Sequence, residues 1–295
     1  MQYGDKNPEL DSKRYYTAGI YDLHVHSSAS DGVLTPEELV VKACALKLTG
    51  LALSDHDTVD GLSIAVDYIK HHQLPLDFIP AIEMNTELDN HEVHILGYYI
   101  DCRNEELKQQ LLQIKEARRA RAVKMINRLR DMGIEIDMER IQQIAVDDLI
   151  ARPHIARALL EKGYVSTEKE AFDKYIGKGR PAYVPRYKFE PQTALKLIAD
   201  AGGVSVLAHP GLLRDQAMVH LLIEMGVEGL EVYYPEHSPS IISEYLKLCS
   251  DKKLLITGGS DYHGSGAVSH YSELGSCGVS CELVNQLKGY YNRKK

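Results

Sequence analysis

The sequence predicts an α/β fold, a barrel or doubly wound sheet of parallel strands that is interrupted by a helical insertion. Two observations support this prediction. Short apolar runs rich in β-branched and aromatic residues alternate with helical patterns in the first and last parts of the chain, and this alternation is typical of parallel sheets covered by helices. The middle part has helical patterns but no convincing strand, which indicates an insertion between two parts of one sheet.

Seven apolar runs predict the strands, and helical patterns separate most of them. The strands are expected at residues 20–26, 51–53, 78–82, 93–99, 204–208, 230–234 and 254–257. Helices are expected at residues 62–71, 191–201, 215–225 and 239–250, and a further helix begins after Thr35. Thr35 is typical of an N-cap, because Pro36 occupies the first helical position and Glu38 follows three residues after the cap.

Residues 101–189 form the predicted helical insertion, and residues 20–100 and 190–295 form the two parts of the barrel. A charged amphipathic helix is expected over residues 104–132, and the stretch 177–185, with its Gly and Pro residues, is expected to lead the chain back into the sheet. Three arginines of the long helix, Arg118, Arg119 and Arg121, are expected to form a solvated face rather than a nucleic-acid contact.

The composition limits the class of protein. With 295 residues, 44% of them hydrophobic, the chain is long enough to bury the core of one large domain with an insertion. A formal net charge of -8 argues against a broad basic groove, so we expect no stable binding of duplex DNA. Five cysteines without a CxxC pair indicate a reducing compartment. The N-terminus is polar and no long apolar run follows, so we expect no membrane span and a cytoplasmic location.

Metal-competent side chains lie where the predicted strands end or just beyond. They are His24, His26, Asp31, His56, Glu83, His94, His209, Asp261 and His263. In parallel α/β barrels the C-terminal ends of the strands converge on one pocket, so we expect these side chains to bind divalent ions that promote hydrolysis of a phosphate ester. His94 is the exception, because it lies near the start of its predicted strand.

Four segments of the chain resemble the motifs of a known family. They are Asp22-Leu23-His24-Val25-His26, Ser54-Asp55-His56-Asp57, His209-Pro210 and Gly259-Ser260-Asp261-Tyr262-His263. In this order they resemble the signature motifs of the PHP (polymerase and histidinol phosphatase) superfamily of metal-dependent phosphoesterases. The resemblance implies a distorted (β/α)7 barrel, which agrees with the seven predicted strands.

The resemblance also implies a site for two to three divalent ions. One ion would be held by His24, His26, Glu83 and Asp261, a second by Glu83, His94 and His209, and a third by Asp31, His56 and His263. Mixed imidazole and carboxylate ligation suits Mn, Fe or Zn, of which we expect Mn. A metal-bound hydroxide is expected to be the nucleophile, so no catalytic side chain is assigned.

A finer resemblance concerns the branch that contains 3′,5′-nucleoside bisphosphate phosphatases and 5′–3′ exoribonucleases of the ribonuclease AM type. It rests on residues 90–95, 152–157 and 178–185, and it implies a nucleotide or a short single-stranded oligonucleotide as the substrate. Arg152 is expected to grip a phosphate with help from a protonated His154, and Arg180 is a further candidate. Two alternatives remain open: a phosphatase for a small metabolite such as histidinol phosphate, and a metal-binding scaffold domain without activity.

Overall fold

A computed structural model describes residues 20–145, 150–264 and 272–295. Within these ranges the strands are β1 (Ile20–Val25), β2 (Gly50–Leu53), β3 (Asp77–Leu88), β4 (His91–Tyr98), β5 (Val204–Leu207), β6 (Gly229–Tyr233), β7 (Leu255–Gly258) and β8 (Val279–Ser280). The α-helices are α1 (Pro36–Ala45), α2 (Asp60–His72), α3 (Glu105–Asp131), α4 (Met138–Ile144), α5 (Arg152–Glu161), α6 (Glu168–Ala171), α7 (Pro191–Asp200), α8 (Ala217–Glu224), α9 (Pro239–Lys252) and α10 (Cys281–Lys294).

The described strands form one sheet in the order β7-β6-β5-β4-β3-β2-β1-β8. This sheet curls into a nearly closed barrel, because the segment after β7 returns to β1. Val25 bridges to Tyr262 in parallel, and the backbone N–H of His26 donates to the carbonyl of Tyr262 at 2.9 Å. The architecture is therefore the distorted α/β barrel with a helical insertion that was expected, and its seven predicted strands all form.

The expectation of parallel strands is wrong at β4. This strand pairs antiparallel with β3 and with β5, whereas β1, β2 and β3 pair in parallel, as do β5, β6 and β7. The reason is the turn at Asp89 and Asn90, whose φ angles are +49° and +64°. A two-residue turn of this kind joins antiparallel strands, since a parallel connection needs a crossover of a dozen residues or more.

The first helix of the barrel begins where the sequence indicates. Thr35 accepts a hydrogen bond from the N–H of Glu38, and the Glu38 side chain accepts one from the N–H of Thr35. This reciprocal cap starts α1 and sets the direction of the chain after β1. Two elements at the C-terminus, β8 and α10, were not predicted. The two-residue β8 is too short for a periodic pattern, and it forms by antiparallel pairing with the start of β1.

The segment between β4 and α7 contains α3 to α6 and a π-helical turn at Phe172–Ile176. Its buried apolar side chains form a cluster of their own, for example Met125, Leu129, Ile155 and Leu159. The long helix begins at Asn104, whose side chain accepts a hydrogen bond from the N–H of Leu107. The exact boundaries of an insertion domain stay a prediction. No helix in the described ranges is long and apolar enough to cross a membrane.

Candidate metal centre and substrate cleft

Glu83 lies at the centre of the predicted ligands. Its Oε2 is 3.3 Å from His24 Nε2, 3.2 Å from His26 Nε2 and 2.8 Å from His56 Nδ1. Its Oε1 is 2.9 Å from His94 Nδ1 and 3.2 Å from His209 Nε2. The ends of β1, β2 and β5 and the middle of β3 and β4 therefore meet at one carboxylate.

The antiparallel β4 explains the unusual position of His94. Because β4 runs opposite to its neighbours, its N-terminal half lies at the end of the barrel where the parallel strands finish. Glu83 also differs from expectation, since it lies inside β3 rather than after it. The strand continues to Leu88 because it pairs with β4 over this length.

Three groups of side chains are close enough to hold a metal ion, with ligand atoms within 4.8 Å of one another. They are His24, His26, Glu83 and Asp261; His26, Asp31, His56 and His263; and His56, Glu83 and His94. Glu83 belongs to two groups, as expected of a bridging ligand, and His26 and His56 also belong to two groups each, which was not expected. His209 contacts Glu83 without belonging to a group. How the ligands divide among the ions stays a prediction.

The cluster contains buried polar atoms that suit a metal ion. Nε2 of His24, both ring nitrogens of His26, Oδ1 of Asp31 and Oε2 of Glu83 make no hydrogen bond to any described residue. Burying such atoms without a partner is costly. Imidazole nitrogens and carboxylate oxygens are also the donors that Mn, Fe and Zn accept in proteins. The residues present therefore fit a centre of divalent ions.

Electrostatic coupling inside the cluster is strong. Burial alone would raise the pKa of Glu83, but His56, His24 and His94 hold it well below its usual range. Burial alone would lower the pKa of His24, but Glu231, Asp261 and Glu83 raise it well above its usual range. Positive charge on the histidines therefore stabilises the ionised carboxylates. A bound divalent cation can supply that positive charge in place of the protons.

Left-handed backbone conformations turn several site residues toward the cluster. Asp57, His209 and Asp261 have φ angles of +51°, +29° and +52°. Residues other than glycine rarely adopt this region, and such conformations are found preferentially at functional sites. Each of these residues lies two to four positions after the end of a strand of the barrel.

Further carboxylates hold the loops around the cluster. Asp55 accepts hydrogen bonds from the N–H and the hydroxyl of Ser27, both at 2.7 Å, and one from the hydroxyl of Ser30 at 2.6 Å. Asp57 accepts bonds from the backbone and side-chain amides of Asn85 and pairs with Arg118. These contacts fix the loops that carry His26 and His56.

Sequence reasoning missed Glu231 and Glu92. Glu231 is fully buried in β6 and contacts His24 Nδ1 at 3.0 Å, and Glu92 contacts His94 Nε2 at 3.0 Å. For Glu231 a signal was available, because a charged residue in the middle of a short apolar strand needs a partner. Glu92 had no comparable signal, since an exposed charged residue near the start of a strand is common.

A cleft of about 240 Å³ adjoins the cluster and lies between the barrel and the inserted helices. Asp31, His56, His94 and His263 line its metal-binding side. Four arginines also line it: Arg118, Arg121, Arg152 and Arg186. Burial, together with the nearby Arg152 and Arg186, lowers the pKa of Arg121 to about 10. Crowded guanidinium groups of this kind favour a bound anion.

The expectation that Arg118 and Arg121 form a solvated face is wrong. Arg118 is half-buried and pairs with Asp57 of the barrel, and Arg121 donates to the carbonyl of Val184 at 2.7 Å. The inserted helix packs this face over the barrel, a contact that the charge pattern does not encode. Arg119 is exposed as expected.

The predicted substrate residues have different placements. Arg152 lines the cleft, and its guanidinium lies 5.5 Å from the ring centre of Phe172. His154 is buried, its Nδ1 accepts a hydrogen bond from the N–H of Ala151, and burial lowers its pKa to about 4. This lowered pKa favours the neutral imidazole rather than the protonated form that we expected, and the contact of His154 with a phosphate stays a prediction. Arg180 is exposed and does not line the cleft.

Known proteins resemble this chain over most of its length. Residues 22–165 match the PHP domain. The 5'-3' exoribonuclease Rnm of Escherichia coli is 36% identical over 251 residues, which cover 83% of this chain and 86% of that protein. The 3',5'-nucleoside bisphosphate phosphatase of Chromobacterium violaceum is 33% identical over 251 residues, which cover 83% of this chain and 87% of that protein.

A solved structure from Bifidobacterium adolescentis, described as a candidate metal-dependent phosphoesterase, matches with a TM-score of 0.82 and 30% identity. The match covers 92% of this chain and 96% of that one. Similarity therefore extends over most of this chain. The chain belongs to the PHP family, and it is a metal-dependent phosphoesterase.

Proposed function

We propose that the protein hydrolyses the 3′-phosphate ester of a nucleotide that also carries a 5′-phosphate. Two substrate classes contain this unit. One is a 3′,5′-bisphosphonucleotide, in which the 3′-phosphate is a monoester. The other is the 5′-phosphorylated end of a short single-stranded RNA or DNA, in which the first linkage is a diester. The observation that carries the proposal is the arginine-lined cleft beside the metal-ligand cluster.

We propose all nine predicted residues as ligands of two to three divalent ions, with Mn as the expected metal and Fe or Zn as alternatives. The ligand set is His24, His26, Asp31, His56, Glu83, His94, His209, Asp261 and His263. The mixture of nitrogen and oxygen donors and the buried ligand atoms without a hydrogen bond support this set. When bound, the ions would supply positive charge to the phosphate oxygens and lower the pKa of water to about 7.

The side chains of the cleft suit the two ends of a nucleotide. Arg152 and Arg186 present guanidinium groups that can bind the second phosphate, which lies away from the bond that breaks. Phe172 and Tyr187 line the same cleft and offer aromatic surface for a base or sugar. Because these residues come from the predicted insertion 101–189, we propose that the insertion selects the substrate.

A small-metabolite phosphatase would have little use for this set of arginines. A substrate such as histidinol phosphate carries one phosphate and a cationic amine, which the crowded guanidinium groups repel. A scaffold without activity would not need to keep all nine ligand residues.

We also propose a cytoplasmic location, supported by five cysteines that all remain free thiols.

A phosphate-release screen of the Mn-loaded protein tests the substrate class. We expect turnover of 3′-phosphoadenosine 5′-phosphate or of short 5′-phosphorylated RNA or DNA, with histidinol phosphate at least 10-fold poorer in kcat/KM. A preference for histidinol phosphate would overturn the proposal. Absence of turnover on all of these substrates, in protein shown to contain metal, would favour the scaffold.

The variant Arg152→Ala tests the second-phosphate site. Loss of a charge-assisted contact worth about 1.5–3 kcal/mol predicts a decrease of roughly 10- to 100-fold in kcat/KM on the bisphosphonucleotide. On a minimal aryl phosphate, which has no second phosphate, we expect little change. Arg157→Ala is the matched control, since Arg157 lies on the same helix with an exposed side chain. Equal losses on both substrates would contradict this role for Arg152.

A further inference from the structure

Glu231 contacts two of the proposed ligands at once. Its Oε1 and Oε2 lie 3.0 and 3.2 Å from Nδ1 of His24, and its Oε2 accepts a hydrogen bond from the backbone N–H of His209 at 2.8 Å. Glu231 and the His24 side chain are fully buried. The carboxylate therefore lies behind the metal-ligand cluster and does not line the substrate cleft.

The contact with His24 determines which ring nitrogen can bind a metal. A carboxylate group accepts hydrogen bonds, so its contact with Nδ1 favours the ring form in which Nδ1 donates. In the neutral ring that a metal ion binds, the lone pair then lies on Nε2, which is 3.3 Å from both Glu83 Oε2 and Asp261 Oδ1. Carboxylates commonly orient metal-binding histidines in this way, and their removal typically weakens metal binding.

The contact with His209 holds a strained backbone. His209 has a φ of +29°, outside the range that non-glycine residues usually adopt. The hydrogen bond from its N–H to Glu231 stabilises this turn directly after β5. The same carboxylate thus sets the ring of one proposed ligand and the backbone of another, which are assigned to different ions.

We propose that Glu231 is a positioning residue that orients His24 and His209 together and so couples the filling of two metal positions. This inference rests on the ligand set of the proposed function. It does not assign Glu231 any contact with substrate or with the reacting phosphate.

The variant Glu231→Gln provides the test because it keeps the shape of the side chain. An amide has one oxygen, and if that oxygen keeps its bond to the His209 N–H, the NH2 group faces Nδ1 of His24. Nδ1 must then accept, so the proton moves to Nε2 and blocks the lone pair that a metal needs. We expect roughly 10- to 100-fold weaker binding of at least one equivalent of metal.

The variant Glu231→Asp separates orientation from packing. Aspartate is too short to fill the space, but it retains a carboxylate that can only accept from Nδ1. If Glu231 orients His24, the Asp variant binds metal more tightly than the Gln variant. If Glu231 only fills space, the order is reversed, because Gln has the same size as Glu.

Metal content after dialysis, measured by elemental analysis, gives the primary readout, and thermal unfolding of metal-free protein checks that each variant folds. In ¹⁵N spectra of Zn-loaded protein, the protonated nitrogen of His24 should change from Nδ1 to Nε2 in the Gln variant. Glu228→Gln is the matched control, since Glu228 also accepts hydrogen bonds next to β6, from Ser205 and Tyr290, away from the cluster. We expect it to bind metal like the wild type.

Two failures remain distinguishable. If the wild type binds metal and His24→Ala lowers its metal content, but Glu231→Gln binds metal as tightly as the wild type, the positioning role is overturned and the proposed ligand set stands. If His24→Ala leaves metal content unchanged, the proposed ligand set itself is wrong.

Discussion

At the scale of single residues, the site is organised around buried charges. Glu83 approaches five of the proposed histidine ligands, of which His24 and His26 belong to one segment and the other three come from separate parts of the chain. The sequence indicated these residue types because carboxylates and histidines following apolar runs are uncommon. It did not indicate that one carboxylate lies between the others, since that depends on how the strands pair.

His154 is the residue whose burial should be visible in the pH dependence of stability. Burial lowers its pKa to about 4, whereas the unfolded chain titrates near 6.5. Between these values the unfolded state binds a proton that the folded state does not, so stability is lost as the pH falls from about 6.5 to 4. A shift of this size corresponds to up to about 3 kcal/mol.

The variant His154→Gln should remove this loss, because glutamine at the third helical position can accept the same N–H of Ala151 without titrating. Urea unfolding at pH 7.5, 6, 5 and 4.5 measures the effect. Relative to the wild type, the variant should gain stability as the pH falls. His71→Gln changes an exposed histidine of α2 and serves as the control. Parallel curves for wild type and His154→Gln would contradict the prediction.

At the scale of secondary structure elements, the β3–β4 hairpin decides where His94 lies. Its tight turn reverses the chain, and the pairing of Leu88 with His91 begins the antiparallel ladder. Asp89 and Asn90 are residues that tolerate positive φ, so the turn has a local sequence signal. The alternation of strands and helices elsewhere in the chain nevertheless favoured a parallel sheet.

Substitutions at Asn90 test this turn. Valine at a φ of +64° should lower the free energy of unfolding by about 1–2 kcal/mol, whereas glycine should be neutral or slightly stabilising. The carbonyl of Asn90 accepts from Lys178, and this backbone contact is available to both variants. Equilibrium unfolding in urea distinguishes them. Equal stability of the two variants would mean that the turn conformation is not as described.

At the scale of the whole molecule, the barrel closes where the segment after β7 meets β1. The N–H of Asp261 donates to the carbonyl of His24 at 2.8 Å, and Asp22 accepts from the N–H of Ser260 and of Gly275. Gly259 permits this closure, because a Cβ atom there would lie 2.4 Å from the backbone nitrogen of His24. Closure brings Asp261 and His263 to the ligands carried by β1.

The variant Gly259→Ala should therefore destabilise the fold and the metal site together. Overpacking of this kind typically costs about 1–3 kcal/mol, and the backbone that must move carries His24. Gly289→Ala is the control, because Gly289 lies in α10 with room for a methyl group and should gain helix propensity. Urea midpoints and metal content should fall for the first variant only. Unchanged values for Gly259→Ala would contradict the close approach between Gly259 and the backbone of His24.

The cleft is the part of the molecule that the sequence predicted least well. Arg118 and Arg121 come from α3, Arg152 begins α5, and Arg186 lies on the segment that returns to the barrel. The periodicity of a sequence describes only a few helical turns or a few strand residues at a time. It therefore identified a charged helical face but not the barrel surface against which that face packs.

By itself, the sequence determined the α/β class, the extent of most strands and helices and the residue types of a metal site. These properties depend on local periodicity, helix caps and ordered motifs, which can be recognised from the order of residues along the chain. Only the tertiary structure decided the antiparallel direction of β4, the contacts of Glu231 with His24 and His209 and the gathering of four arginines over the metal ligands. Those properties arise from packing between residues far apart in the chain, where a side chain's role depends on its neighbours in space.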